Sequence, residues 1–189
     1  MGIDVPYDSK VDLLMKAVMS SRADLKPVEP ENLHLTLLFI GEVQDALLGD
    51  IKEAVSLVKF PSFNVRLSGL GAFPSPFRPR VIWIGIKEGA EVLTDIHNQL
   101  VKSLKSRGVK PQDEKEFQPH LTLARVKGTY GSLPQVIMSY QDYEVGTISV
   151  NSIKLYKSTL TPKGPIYEVL HEVKAVDRGG STAKDQAKA

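Results

Sequence analysis

The sequence contains no cysteine among its 189 residues, which excludes disulfide bonds, thiolate nucleophiles and cysteine-ligated zinc. It also has no apolar run approaching the roughly 20 residues that a membrane span needs. The first six residues show no apolar stretch of the kind found in a signal peptide. From these absences we expect a cytoplasmic protein with no membrane contact.

An excess of charge of either sign is missing as well. There are 24 lysine and arginine residues against 22 aspartate and glutamate residues, for a formal net charge of +2. Binding of a charged partner depends on local charge rather than on the sum, so this balance excludes neither RNA nor a small molecule. A binder of long duplexes usually has a larger basic excess, which favours a short substrate or a strand end.

Apolar periodicity predicts helices and strands in alternation. Positions such as Val11, Leu14, Met15 and Val18 recur at helical spacing, and similar patterns predict helices over 8–22, 44–58, 92–104 and 133–140. Strands are expected over 3–5, 33–40, 63–67, 81–86, 120–126, 145–150, 153–158 and 167–173, with a proline-rich loop at 73–80. This mixture indicates an α+β fold. Residues 177–189 lack apolar periodicity, which predicts a flexible tail after a single domain over 1–176.

One tetrapeptide, His-Leu-Thr-Leu, occurs twice, at 34–37 and at 120–123. Each copy starts a predicted strand after a segment that contains a helix, and the copies lie about half the chain apart. This repetition suggests two related lobes. If a pseudo-two-fold axis relates the lobes, the two copies face each other across one groove.

Alternate side chains of a strand point to opposite faces, so in each copy the histidine and threonine share one face and the leucines share the other. A lone histidine on a strand is usually structural. Two His-x-Thr copies at equivalent places, in a chain with only four histidines, favour a functional pair. A shared zinc site fits poorly, because threonine is a weak ligand and no carboxylate lies at ligand spacing.

Paired imidazoles suit the cleavage of a phosphodiester. The reaction needs a base that activates the attacking oxygen and an acid that protonates the leaving oxygen, and His34 and His120 can fill both roles near neutral pH without metal or cofactor. The Thr36 and Thr122 hydroxyls can donate hydrogen bonds to the non-bridging phosphate oxygens.

The segments 34–41 (His-Leu-Thr-Leu-Leu-Phe-Ile-Gly) and 117–125 (Phe-Gln-Pro-His-Leu-Thr-Leu-Ala-Arg) resemble the paired signatures of the two-histidine (2H) phosphoesterases. Within that superfamily the sequence is most similar to the RNA 2′,3′-cyclic phosphodiesterases, also called 2′-5′ RNA ligases. Further matches are Ile-Asp-Val-Pro at 3–6, Arg-Val-Ile-Trp-Ile-Gly at 80–85 and Leu-Tyr-Lys-Ser at 155–158.

The resemblance implies a bilobal fold in which two antiparallel sheets line a central cleft with helices outside. It also implies hydrolysis of RNA or nucleotide 2′,3′-cyclic phosphate ends to 2′-phosphate, with His34 as general acid and His120 as base. A monomer is the default expectation for the oligomeric state. Arg125 matches the family's phosphate-binding arginine. Strict alternation from His120 places Arg125 on the wrong face, so it reaches the cleft only if the strand bulges or ends early.

Two other functions remain open at this stage. The same site run in reverse would join RNA halves, such as those of tRNA, through a 2′-5′ bond, and a non-catalytic module would bind RNA ends without converting them. We also expect His97 on a helix surface or interface. Phe39 and Phe117 flank the repeated tetrapeptides, and we expect both to pack in the core, with stacking on an RNA base as the alternative.

Overall fold

The computed structural model describes residues 1–112 and 116–176, so the tail predicted over 177–189 lies outside it. The described strands are β1 (Gly2–Asp4), β2 (Leu25–Pro27), β3 (His34–Thr36), β4 (Phe63–Ser75), β5 (Arg78–Glu88), β6 (Leu121–Val126), β7 (Glu144–Val150), β8 (Ser152–Thr161) and β9 (Gly164–Lys174). The α-helices are α1 (Ser9–Met19), α2 (Leu48–Ser56), α3 (Ala90–Ser106) and α4 (Leu133–Ser139), and short 3₁₀ turns cover Pro30–Asn32 and Asp45–Leu47.

The strands form two antiparallel sheets, in the orders β3-β1-β8-β9 and β2-β6-β5-β4-β7. The first copy of the repeated motif lies on β3, an edge strand of the first sheet. The second copy leads into β6, between β2 and β5 in the second sheet. Strands β3 and β6 contact each other, so the two motifs meet although they belong to different sheets. The predicted bilobal α+β fold with two antiparallel sheets is confirmed.

The amphipathic helices pack their apolar faces into one shared core. Helix α1 begins after Asp8, whose carboxylate accepts hydrogen bonds of 2.9 Å from the backbone nitrogens of Lys10 and Val11. This is a standard N-cap, worth about 1 kcal/mol. Its buried face is Val11, Leu14, Met15 and Val18, as the periodicity predicts. No helix of the described segments has the length and apolar character that crossing a membrane requires.

The predicted loop over 73–80 is wrong, because β4 and β5 run through it as a hairpin. Strand β4 continues to Ser75 and β5 starts at Arg78, which leaves a turn of two residues. Pro74 lies opposite Pro79 in the register. Two residues without a backbone donor thus share one rung of the ladder, and the neighbouring pairs, such as Phe73 with Val81, keep the strands together.

Strand β3 is shorter than the predicted 33–40. After Thr36 the backbone nitrogens of Leu37 and Leu38 both donate to the carbonyl oxygen of Met1, at 2.9 and 3.3 Å. Two donors on one acceptor end the regular ladder there. Both leucines are buried, but the next residue, Phe39, is 57% exposed. The expectation that Phe39 packs in the core is therefore wrong.

Candidate active site

The two motif histidines are held in the same way. The Nδ1 atom of His34 lies 2.6 Å from the carbonyl oxygen of Asn32, and Nδ1 of His120 lies 2.6 Å from the carbonyl oxygen of Gln118. In each case the partner is two residues earlier. A carbonyl can only accept, so Nδ1 carries the hydrogen and Nε2 is the nitrogen that exchanges a proton.

An acidic and aromatic environment surrounds His34. Its ring contacts Tyr167 edge-on, with 5.1 Å between ring centroids, and Tyr156 at 5.7 Å. Asp4 pairs with His34 in the register of β1 and β3. The Asp4 carboxylate accepts hydrogen bonds from Lys154 and Tyr156, which fixes it in place.

These surroundings act on the His34 pKa in opposite directions. Burial lowers the pKa below its ordinary value and the positive charge of the Met1 amine lowers it further, while the hydrogen bond to the Asn32 carbonyl and the negative charge of Asp4 raise it. The net result is a lowered pKa. Of the two motif histidines, His34 is the one with a nearby carboxylate that favours its protonated form.

His120 lies instead between aromatic rings and a cation. Its ring is perpendicular to Phe73, with centroids 4.9 Å apart, and lies 6.3 Å from the ring of Trp83. Burial lowers the pKa of His120, the Gln118 carbonyl raises it, and the positive charge of Arg125 lowers it further. The surroundings of both histidines thus favour the neutral imidazole, and at His120 the nearby cation adds to the effect of burial.

A β-bulge turns Arg125 towards the cleft. Thr122 pairs with Trp83 and Ala124 with Ile82, so β6 uses one more residue than β5 between these rungs, and that residue is Leu123. The bulge reverses the alternation beyond it. As a result Arg125 lines the same cavity as Thr122.

That cavity has a volume of about 310 Å³ and lies between the two sheets. Four of the five predicted site residues, His34, Thr36, Thr122 and Arg125, are in its lining, and His120 is not. His120 lies two residues before Thr122 on the approach to β6. Other lining residues come from β2, from the segment after β6 and from the β8–β9 hairpin, and include Lys26, Lys127, Lys163 and Tyr167.

His97 lies at an interface, one of the two places expected for it, and is buried, with 8% of its surface exposed. Its Nδ1 donates to the carbonyl oxygen of Leu37 at 2.7 Å, and its ring stacks on Phe117 with centroids 4.3 Å apart and planes 5° from parallel. Leu37 ends the first motif and Phe117 precedes the second. His97 thus joins the two motif segments.

Sequence reasoning missed the cluster of Asp4, Lys154 and Tyr156 and the lysines of the cavity. The cluster forms by long-range pairing, which leaves no local signal. Arg125 and Lys127 form a basic wall of the cavity. Their spacing of two residues could have predicted it, because alternate side chains of an extended segment share one face. Within residues 1–112 and 116–176, no group of three or more histidine, cysteine, aspartate or glutamate side chains is arranged to hold a metal ion.

Comparison with known proteins agrees with this geometry. The model of the LigT-like phosphoesterase family matches the chain twice in succession, over residues 3–83 and 84–167. The chain therefore belongs to the LigT-like phosphoesterases, the 2H phosphoesterase class that the motifs suggested. The two consecutive matches fit the two lobes.

Curated relatives cover most of the chain. The RNA 2′,3′-cyclic phosphodiesterase of Aeropyrum pernix is 43% identical over 168 residues, covering 88% of this chain and 95% of the relative. The enzyme of the same name from Archaeoglobus fulgidus is 42% identical over 170 residues, covering 90% and 94%. The crystal structure of the Thermus thermophilus protein TT0787 has a TM-score of 0.76 at 31% identity, covering 92% of this chain and 94% of that one.

Proposed function

We propose that the protein hydrolyses 2′,3′-cyclic phosphate ends of RNA or nucleotides to 2′-phosphates, with His34 and His120 as a metal-independent acid–base pair. The observation that carries the proposal is the equivalent anchoring of the two imidazoles. Each Nδ1 is held by a carbonyl two residues earlier, which leaves each Nε2 to transfer a proton. The relatives named RNA 2′,3′-cyclic phosphodiesterase support the choice of substrate.

In the proposed step, water attacks the phosphorus as Nε2 of His120 takes one of its protons. The bond from phosphorus to the ribose 3′ oxygen breaks, and His34 gives its Nε2 proton to that oxygen. The products are a 2′-phosphate and a free 3′-hydroxyl. The nearby Asp4 carboxylate favours a protonated His34, and Arg125 favours a neutral His120. The Arg125 effect supports His120 as the base, whereas at His34 the positive charge of the Met1 amine opposes that of Asp4.

The cavity lining supplies groups for the charge that develops on the phosphate. Thr36 and Thr122 lie two residues beyond the histidines of their motifs, and both line the cavity with Arg125. Hydroxyl and guanidinium donors stabilise the non-bridging oxygens of the transition state, and the planar guanidinium can bind two oxygens at once.

The test is hydrolysis of 2′,3′-cyclic nucleotides and of a short RNA with a cyclic end, in EDTA, by the wild type and by His34→Ala and His120→Ala. We expect a 2′-phosphate product that is lost in both variants. Binding without turnover would favour an RNA-end binding module, and activity that survives both substitutions would refute the histidine pair.

A second substrate tests the assignment of roles. An aryl phosphodiester has a leaving group that needs little protonation, so His34→Ala should lose less activity on it than His120→Ala does. Equal losses would contradict the assignment.

The expectations of a monomeric and cytoplasmic protein stay predictions, which light scattering and cell fractionation would check.

A further inference from the structure

The far end of the β8–β9 hairpin extends beyond the sheet that contains it. Strand β8 pairs with β1 at one rung, Gly2 opposite Lys154, and β9 is the edge strand of the sheet. Over 156–169, here called the hairpin arm, the two strands pair only with each other among the described residues. Residues 157–160 are all exposed, so neither face of the arm is covered there. A two-stranded ribbon of this kind is only marginally stable by itself.

A side chain from the turn before β3 links the arm to the rest of the molecule. The Nδ2 atom of Asn32 donates a hydrogen bond to the carbonyl oxygen of Pro165 at 3.0 Å. The nitrogen of the amide group must face Pro165, because a carbonyl can only accept. The backbone nitrogen of Asn32 donates to the carbonyl oxygen of Glu29 at 2.9 Å, which fixes the turn. The Asn32–Pro165 bond therefore fastens the arm to an ordered turn 133 residues earlier.

The same asparagine contacts His34 by two routes. Its backbone carbonyl accepts the hydrogen bond from Nδ1 of His34 at 2.6 Å. On the arm, two residues beyond Pro165, Tyr167 packs edge-on against the His34 ring, with 5.1 Å between centroids. The contacts thus close a loop, which runs from the Asn32 amide through the arm to the ring of His34 and back to the Asn32 carbonyl. All four residues line the cavity.

The second motif has no such link. The ring of His120 packs against Phe73 of β4 and Trp83 of β5. Both strands have a neighbour on each side in the five-stranded sheet, so these rings are held without help from elsewhere. Gln118 occupies the equivalent position to the asparagine, but its side-chain amide forms no hydrogen bond with any described residue. Of the two histidines, only the first depends on a ring that a protruding ribbon carries.

We propose that Asn32 is a positioning residue: its side-chain amide holds the hairpin arm, and through Tyr167 the arm keeps the His34 ring in the orientation that proton transfer needs. The inference rests on the proposed function, because it gives Asn32 a part in that reaction. A catalytic group must be held to within about 0.5 Å of its productive position. An unfastened arm would let the ring tilt about its Nδ1 anchor and would leave the groups of β6 in place.

The kinetic test uses Asn32→Ala, which removes the amide and keeps the carbonyl that anchors His34. On a 2′,3′-cyclic mononucleotide we expect kcat to fall by roughly 10- to 100-fold, with KM within about twofold of the wild type, because the ring is misplaced while the phosphate-binding groups are not. Asn98→Ala, an exposed asparagine of α3, is the control and should keep the wild-type kcat. An unchanged kcat, or a rise in KM alone, would overturn the proposal; the second result would mean that the amide binds substrate directly.

A double-mutant cycle tests the route through the arm. If Asn32 acts on His34 through Tyr167, Asn32→Ala/Tyr167→Ala should lose no more kcat than the more damaging of the two single variants, since both remove the same contact. Additive losses would show that the two side chains act separately and would overturn the proposed route.

Nuclear magnetic resonance gives a readout that needs no turnover. The Tyr156 and Tyr167 rings lie against His34 and shift its ring signals, and the chain has only four histidines to assign. In Asn32→Ala, the His34 signals should move towards those of an unpacked imidazole while the His120 signals stay in place. Unchanged His34 signals, or equal shifts at both histidines, would overturn the link.

Asn32→Leu, which has nearly the same size but no donor, gives the same test if Asn32→Ala does not fold. The two inferences fail separately, because the signals report on the link alone. No turnover of any substrate by the wild type would overturn the proposed function, whatever the His34 signals show.

Discussion

At the scale of single residues, the two histidines share an anchor but not an environment. Both Nδ1 atoms face a carbonyl at 2.6 Å. Beyond that bond, the ring of His34 contacts Tyr156 and Tyr167, and the ring of His120 contacts Phe73 and Trp83. The same local motif therefore places two imidazoles in different surroundings, and burial lowers the pKa of both.

The pH profile of kcat/KM should follow from the two lowered pKa values. His120 must be neutral and His34 protonated in the free enzyme, so activity falls below the pKa of the first and above the pKa of the second. Burial lowers both pKa values below the ordinary value of 6.5, so both limbs of the pH profile lie below pH 6.5. We expect the optimum of kcat/KM below pH 6.5, measured on a cyclic mononucleotide. An optimum above about pH 7 would contradict this expectation.

Asp4→Asn tests the carboxylate beside His34. Because Asp4 raises the pKa of His34, its loss should lower that pKa further and move the alkaline limb of the profile to lower pH. At a pH on the alkaline limb we expect kcat/KM to fall by roughly two- to fivefold, since the carboxylate is partly exposed. Asp50→Asn, on the exposed side of α2, is the matched control. A uniform loss at every pH would indicate misfolding instead.

At the scale of elements, the bulge in β6 decides which residues reach the phosphate. Leu123 is the extra residue, and it is fully buried. By reversing the alternation, it brings Arg125 and Lys127 to the face of Thr122. The basic wall of the cavity thus depends on an irregularity of one strand.

Arg125→Ala should lower kcat/KM on a cyclic mononucleotide by roughly 10²-fold, the cost of losing one donor to a developing oxyanion. Arg125→Lys should recover only part of the loss, because an ammonium cannot bind two oxygens in a plane. Arg107→Ala, which breaks an exposed ion pair with Glu53, is the control and should leave activity near that of the wild type. Full activity of Arg125→Lys would rule out bidentate binding.

His97 joins α3 to both motif segments, so its substitution should destabilise the fold. His97→Phe keeps a ring to stack on Phe117 but leaves the Leu37 carbonyl without its donor. An unsatisfied buried acceptor costs about 1–3 kcal/mol, and we expect a loss of that size in urea denaturation. His171→Phe is the control, because the His171 imidazole forms its hydrogen bond with Ser56 near the surface. It should change the free energy of unfolding by no more than about 0.5 kcal/mol.

The elements also show where sequence reasoning works and where it fails. Helical periodicity placed α1 and α3 because one buried face repeats along each of them. The proline-rich segment at 73–80 looked like a loop because proline is rare within strands, and only the pairing of Pro74 with Pro79 reconciles it with a hairpin. Strand β2 has three residues and no alternation of apolar and polar side chains, so its own sequence does not predict a strand. It is a strand because it pairs with β6.

For the site, the repeated motif led to His34, Thr36, His120 and Thr122 because a strand's alternation is a local property. It also led to the condition on Arg125, which the bulge satisfies. The cluster beside His34 was not predictable, since Asp4 meets Lys154 and Tyr156 only through strand pairing across most of the chain.

At the scale of the whole molecule, the two lobes are similar in sequence but do not consist of two separate halves. The family model matches residues 3–83 and 84–167. The sheet that holds the first motif nevertheless takes β8 and β9 from the end of the chain. The lobes are therefore interlocked, and neither half of the chain contains a complete sheet.

Two deletions test this organisation and the predicted boundary at residue 176. Removal of 177–189 should leave activity and the melting temperature close to those of the full chain, because the apolar periodicity of the sequence ends before residue 177. Removal of 152–189 takes two of the four strands from the first sheet and should abolish cooperative unfolding, measured by circular dichroism. A stable, active product of the second deletion would contradict the interlocked arrangement.

The position of β1 between β3 and β8 has a consequence for how the protein is made. A ribosome releases Asp4 long before Lys154, its partner 150 residues later. Until the last strands emerge, the nascent chain has the first motif but not the tyrosines and lysine that surround it. Folding must wait for these distant contacts, which makes it slow for a chain of this size. An unfinished chain therefore lacks a complete site, and the proposed activity begins only once synthesis has reached β9.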